Sequence, residues 1–209
     1  NAFNHPNVGP FIAKQLIQKL VTSNPTPAYV QRVTEKFNND GSGVRGNLAA
    51  VVKAILLDAE ARNAPSGSAT ATAGKLKEPL LRLTQFWRAY GATSASGKLG
   101  AARNFSGGAF NVFGEAPGQS PSVFNFYSPF YAPPGEIANA NLVAPELQLS
   151  TEYLVAQQAN FYYTQAFART HMQAATLTAD DVYINVTDEL GVATDSEALV
   201  NRVAERLLG

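Results

Sequence analysis

Hydrophobic positions recur at helical spacing through most of this chain, and polar residues fill the opposite faces. Over residues 6–21, Phe11, Ile12, Leu16, Ile17 and Leu20 share one side, with Lys14, Gln15, Gln18 and Lys19 on the other. Pro25 ends that pattern, because proline disfavours helical geometry in the residue before it. Thr26-Pro27 restarts it with a capping hydroxyl and a proline at the first helical position. The spacing predicts a second helix over 27–38, with Tyr29, Val30, Val33 and Phe37 facing inward. Asn47 is placed to cap a third over 48–62, with Leu48, Val51, Val52, Ile55 and Leu56 on its inner side. A fourth helix is predicted over 78–90, with Pro79 in its first turn and Leu80, Leu81, Leu83, Phe86 and Trp87 as its stripe. Ser150 or Thr151 caps a fifth over 151–175, carrying Tyr153, Leu154, Phe161, Tyr162 and Phe167. The last, over 196–208, has Leu199, Val200, Val203, Leu207 and Leu208 in register.

Two stretches break the period. Residues 64–74 are small and of low complexity, the composition of a flexible surface loop. Residues 91–150 are rich in glycine, proline, asparagine and aromatics. Disorder is normally aromatic-poor, and Phe105, Phe110, Phe113, Phe124, Phe126, Tyr127, Phe130 and Tyr131 all fall here. The segment is therefore expected to be ordered but irregular. Residues 182–186 alternate like a short strand. The expected fold is all-α: a helical, bundle-like scaffold with a long ordered aromatic and proline-rich segment and little or no strand. One helical domain over 1–209 is the expected organisation. The starting Asn1-Ala2-Phe3 and the helical pattern running to Leu208 lead us to expect a piece of a longer protein.

Composition narrows the chemistry. Sixteen basic residues balance sixteen acidic ones, so no basic stripe exists to neutralise a run of phosphates, and nucleic acid is not the expected partner. The absence of cysteine excludes disulfides, thiolate metal sites and cysteine nucleophiles. No segment approaches the ~20 apolar residues needed to span a bilayer. The charged fraction of 15% is below the typical ~25%, with asparagine, serine, threonine and tyrosine carrying much of the polarity, which leans towards an exported protein. No cofactor is expected.

Several clusters invite a chemical reading. Asn38, Asp40, Ser42 and Gly43 mimic the start of an EF-hand loop, but its twelfth position is Ala49 where calcium needs a bidentate glutamate, so a helix-connecting turn is expected. Residues 41–46 could cradle a phosphate with Arg45, yet they lack the P-loop lysine and follow a helix rather than a strand. His5 and His171 have no partner at metal-ligand spacing; His171, near the end of the fifth predicted helix, would suit its dipole. Glu146 and Glu152 flank a helix start, where a carboxylate pair for hydrolysis and simple helix-terminal electrostatics are both readable. The aromatic stretch 124–131 is the best functional candidate. Asn125, Phe126, Tyr127 and Tyr131 are its expected contact residues for a protein or polysaccharide partner, since tyrosine joins a rigid apolar body to a hydrogen-bonding tip.

Three collinear stretches carry a family resemblance: residues 5–17 (HPNVGPFIAKQLI), 41–48 (GSGVRGNL) and 121–146 (PSVFNFYSPFYAPPGEIANANLVAPE), with 75–80 (KLKEPL) between. Together they closely resemble the bacterial domain-of-unknown-function-1800 family over nearly the whole chain. The family pattern has an aspartate where this chain has Asn47; either residue caps a helix. The resemblance implies a larger, exported protein (periplasmic, cell-surface or secreted) and supplies no catalytic residues. The leading expectation is a non-catalytic binding or assembly component of an exported bacterial system. The alternative is a hydrolase-like enzyme completed by residues outside this chain.

Overall fold

A computed structural model describes residues 2–63, 65–67, 72–100 and 108–208, with the side chains of 108–110 also left aside. In chain order its helices are α1 Val8–Leu20, α2 Pro27–Asn38, α3 Leu48–Leu57, α4 Ala59–Arg62, α5 Pro79–Ala89, α6 Gly108–Phe113, α7 Glu136–Asn139, α8 Glu152–Ala168, α9 Thr187–Leu190 and α10 Ser196–Leu208. Short 3₁₀ turns lie at Ala2–Asn4, Pro145–Leu149 and His171–Thr176. Among the described residues no strand forms, so the all-α expectation holds. Residues 182–186 contribute only isolated bridges, Tyr183 to Thr93 and Ile184 to Thr170.

The chain divides into two compact units, each drawn from two separate stretches. The first comprises residues 1–76 and 127–148; the second comprises 77–126 and 149–209.

The first unit is built on α1, α2 and α3. Thr26 accepts a hydrogen bond from the Tyr29 amide and Asn47 one from the Ala50 amide, so both predicted caps form. The α2 stripe packs as expected: Tyr29, Val33 and Phe37 are buried, and the Tyr29 hydroxyl donates to the Ile55 carbonyl at 2.7 Å. Helix α1 turns differently from its hydrophobic pattern. Its buried face is Gly9, Ala13, Ile17 and Gln18, while Phe11 and Leu20 are exposed. The small residues decide this. A Cβ at Gly9 would sit 3.0 Å from a Thr34 methyl and 3.3 Å from the Phe37 ring, so a larger residue there would push α2 back by a few tenths of an ångström. Helix α3 likewise buries Val51 and Ile55 and leaves Leu48 and Leu56 outside. The predicted helix 48–62 is interrupted at Asp58, whose extended backbone starts α4 and whose side chain accepts from the Glu60 amide.

The second unit has its own core of Leu83, Trp87, Tyr90, Val112, Phe113, Phe161, Val182 and Ile184. Helix α5 supplies Leu83 and Trp87, and Pro79 opens it as expected, although Leu81 faces outward. At its start the Leu80 amide donates 2.8 Å to the buried Glu115 carboxylate, a favourable charge at a helix N-terminus. Helix α8 is capped by Thr151 but stops at Ala168, short of the predicted residue 175. Thr170 there leaves the helix to bridge Ile184 and joins Gln173 in a capping box that opens the 3₁₀ turn. His171 consequently begins that turn instead of ending α8. Its Nδ1 accepts from the Val186 amide at 3.3 Å, so the dipole role expected for it does not arise.

The segment 91–150, expected to be irregular, contains α6, α7 and the turn Pro145–Leu149. Phe105, the ring of Phe110, and residues 64 and 68–71 of the low-complexity stretch lie outside the described residues.

Candidate functional site

The motif residues are best read by asking what each holds. In the first unit, Arg45 lies over two rings, 5.5 Å from the centroid of Phe3 and 5.0 Å from that of Phe37. Its guanidinium also donates to the carbonyls of Phe3 and His5 and to the Asn38 side chain. Gly46 beside it has φ +77°, and a Cβ there would lie 2.6 Å from the Phe3 ring. Arg45 thus ties the 41–48 motif to the start of the chain, at Phe3 and His5, and to the end of α2, at Phe37 and Asn38.

The loop's own donors are engaged within it. The amides of Gly41 and Gly43 donate to Asn39, and those of Ser42 and Val44 to Asp40, so the N–H groups a phosphate would need are engaged inside the loop. Asp40 also accepts from the Ser42 hydroxyl and, at 2.8 Å, from the Asn47 amide. These donors hold the Asp40 carboxyl well below the usual carboxylate range, with the Asn47 bond the largest cause. Among the described residues no cluster of three or more His, Asp or Glu is arranged to hold a metal.

Residues 127–148 bind to the end of α1. Glu146 is 1% exposed, and its carboxylate pairs with the Lys75 ammonium at 2.9 Å. The same ammonium donates 3.0 Å to the Lys19 carbonyl, where a cation complements the C-terminus of α1. Lys19 sits over the Tyr127 ring at 3.7 Å. Gln18 donates to the carbonyls of Ser23 and Pro129, and Asn24 exchanges two hydrogen bonds with Val143, each 2.9 Å.

The expected contact residues fall within this framework. Tyr127 is buried, at 4% exposure, and Tyr131 is half-buried with its carbonyl accepting from the Ala144 amide. Phe126 and Asn125 are half-buried in the second unit, Asn125 with φ +70°. The large apolar side chains that do face water are Phe124 and Phe130, inside the 124–131 stretch but outside its four expected contact residues, and Val123 just before it. Phe130 is exposed in the first unit. In the second, Val123 is 95% exposed and Phe124 72%. The last two occupy the tip of a closed turn: the Asn125 amide donates to the Ser122 carbonyl at 3.2 Å and the Phe124 amide to the Ser122 hydroxyl at 3.1 Å. A serine able to bond its own turn, and an asparagine tolerant of left-handed backbone two residues after a valine, were the available signal.

Glu146 belongs to the first unit, while Glu152 is exposed in the first turn of α8 in the second. Two depressions of the first unit, of about 410 and 500 Å³, are lined by residues such as Pro10, Val30 and Thr34, and Thr22, Glu60 and Asn63. Neither includes His5 or Glu146.

The architecture is that of an all-α protein whose motif residues act as ties between segments. The chain belongs to the family described as Protein of unknown function (DUF1800), whose pattern matches residues 1–209. No curated protein and no solved structure is significantly similar to it. Among the described residues no helix is long and apolar enough to cross a membrane.

Proposed function

We propose that this chain is a non-catalytic binding or assembly component of an exported bacterial system, with another exported protein as its partner. The observation that carries the reading is the 122–125 turn. Its backbone is fixed by Ser122 and Asn125, yet it presents Val123 and Phe124 to water. A rigid turn loses little entropy on docking, and a valine–phenylalanine tip suits an apolar groove better than a sugar face. Export is supported by the low charged fraction. The test is retention of envelope components on the immobilised chain, with Val123→Ser/Phe124→Ser as the paired variant. A component held by the natural sequence and lost at least ten-fold by the variant is expected. Equal retention by both would remove the turn from the reading; recovery of nothing specific would sink the binding role itself.

A further inference from the structure

Between α5 and α8, hydrogen-bond donors outnumber acceptors. Gln158, Tyr162 and Gln165 share one face of α8, and each meets α5. Arg82 donates to the Gln158 side chain at 3.0 Å, the Tyr162 ring packs edge-on against Phe86, and the Trp87 indole donates to the Gln165 side chain at 3.3 Å. The acceptor oxygen of each glutamine is therefore engaged. Four buried atoms have no hydrogen-bond partner among the described residues: Arg82 Nε, the amide nitrogens of Gln158 and Gln165, and the Tyr162 hydroxyl. Three of these only donate, and the phenol can donate as well. Gln158 is 5% exposed and Gln165 is wholly buried, so bulk water does not reach them. Arg82 also pairs with no carboxylate among the described residues. Burial raises the Tyr162 phenol and the Arg82 charge works the other way, so the two groups lie within electrostatic reach.

We propose that Arg82, Gln158 and Tyr162 bind a small carboxylate between α5 and α8. The surplus of donors selects this guest. A water molecule brings as many hydrogens as lone pairs, so it passes the surplus on without ending it. An ionised carboxylate only accepts, at about four positions, and it supplies the negative charge that a half-buried guanidinium calls for. Spacing limits its size. Gln158 and Tyr162 are one helical turn apart, about 6 Å along the axis, which the two oxygens of one carboxylate can bridge through the side-chain tips. Gln165 lies about 10 Å from Gln158 along the same axis, beyond that guest, and stays with Trp87.

The test is thermal unfolding of the chain in sodium acetate, in sodium chloride at the same ionic strength, and in acetamide, the uncharged analogue that carries donors of its own. Trp87 is the sole tryptophan and sits in the second unit's core, so its fluorescence follows the unit concerned. A guest that binds only the folded form raises the midpoint by about 3 °C at ten times its Kd, and the rise follows a binding curve. Acetate should give that rise, and chloride and acetamide should not. Arg82→Met and Tyr162→Phe should each weaken acetate binding at least ten-fold. The readout is the acetate-dependent rise, so a variant's changed stability in chloride does not enter it. Tyr162→Phe keeps the buried ring and serves if Arg82→Met does not fold. A rise equal in acetate and chloride, or one linear in acetate throughout, would be a general salt effect and overturn the proposal. A full rise retained by the variants would place the bound ion elsewhere and equally sink it. The site shares no residue with the 122–125 turn, so the two readings stand or fall separately.

Discussion

Helices α2 and α8 show two ways of using an amphipathic segment. In α2 the apolar stripe faces the core and the charges face water, so pattern, burial and fold agree. In α8 the core-facing positions include Gln158 and Gln165, both buried, while Tyr153, Tyr163 and Phe167 point outward. The glutamines have work inside. Gln158 accepts from Arg82 at 3.0 Å, and Gln165 accepts from the Trp87 indole at 3.3 Å. A buried tryptophan N–H needs an acceptor. The rings outside have no such role within their unit. The contrast separates residues kept for folding from residues that folding does not explain.

The largest effects should come from rings both helices bury. Phe37→Ala in α2 and Phe161→Ala in α8 should each cost about 3–5 kcal/mol by chemical denaturation, since each empties a filled core site. Near-zero cost at Phe161 would mean that α8 contributes little to its unit. Next, Gln165→Leu strands the Trp87 N–H and should cost about 1–3 kcal/mol, read by the same method.

Tyrosine hydroxyls sharpen the comparison at a smaller scale. Tyr29 donates to Ile55, so Tyr29→Phe should cost about 1 kcal/mol. The Tyr162 hydroxyl is buried with no hydrogen-bond partner among the described residues, so Tyr162→Phe should be neutral or slightly stabilising. Burial pushes both phenols up to about 12 from 10.0. The fold therefore holds their protons more tightly than the unfolded chain does. The stability this contributes is complete below pH 10.0 and is lost as pH rises towards about 12. Alkaline titration of each phenylalanine variant should show a shallower loss than the parent; an unchanged slope would mean that the phenol ionises alike in both states.

Local chemistry was the legible part of this chain. Thr26, Asn47 and Thr151 cap helices where their side chains predicted it, because a cap depends on a few adjacent residues. Which face of a helix turns inward was less legible. Size-based reading chose Phe11 and Leu48, whereas close approach at Gly9 rotated α1, and a pattern of hydrophobicity does not register the space that a glycine leaves. Within the candidate stretch, the sequence ranked the rings by chemistry and not by exposure. Tyr127 is consumed by Lys19, a contact across more than a hundred residues that no local pattern encodes. Phe124 opened the chosen stretch and Val123 lay just before it, but neither was among the expected contact residues; the turn geometry that exposes them became visible only with the backbone.

The Lys75–Glu146 tie has a consequence for synthesis. Glu146 completes the first unit, but it follows about fifty residues that belong to the second. At ~5–20 residues per second, a ribosome releases α1–α3 several seconds before the segment that closes over the end of α1. During that interval the Lys75 ammonium is without the Glu146 carboxylate as counter-charge, and half of the second unit is already waiting for α8. The two units must therefore mature interleaved, each needing the other's chain to emerge before it can finish.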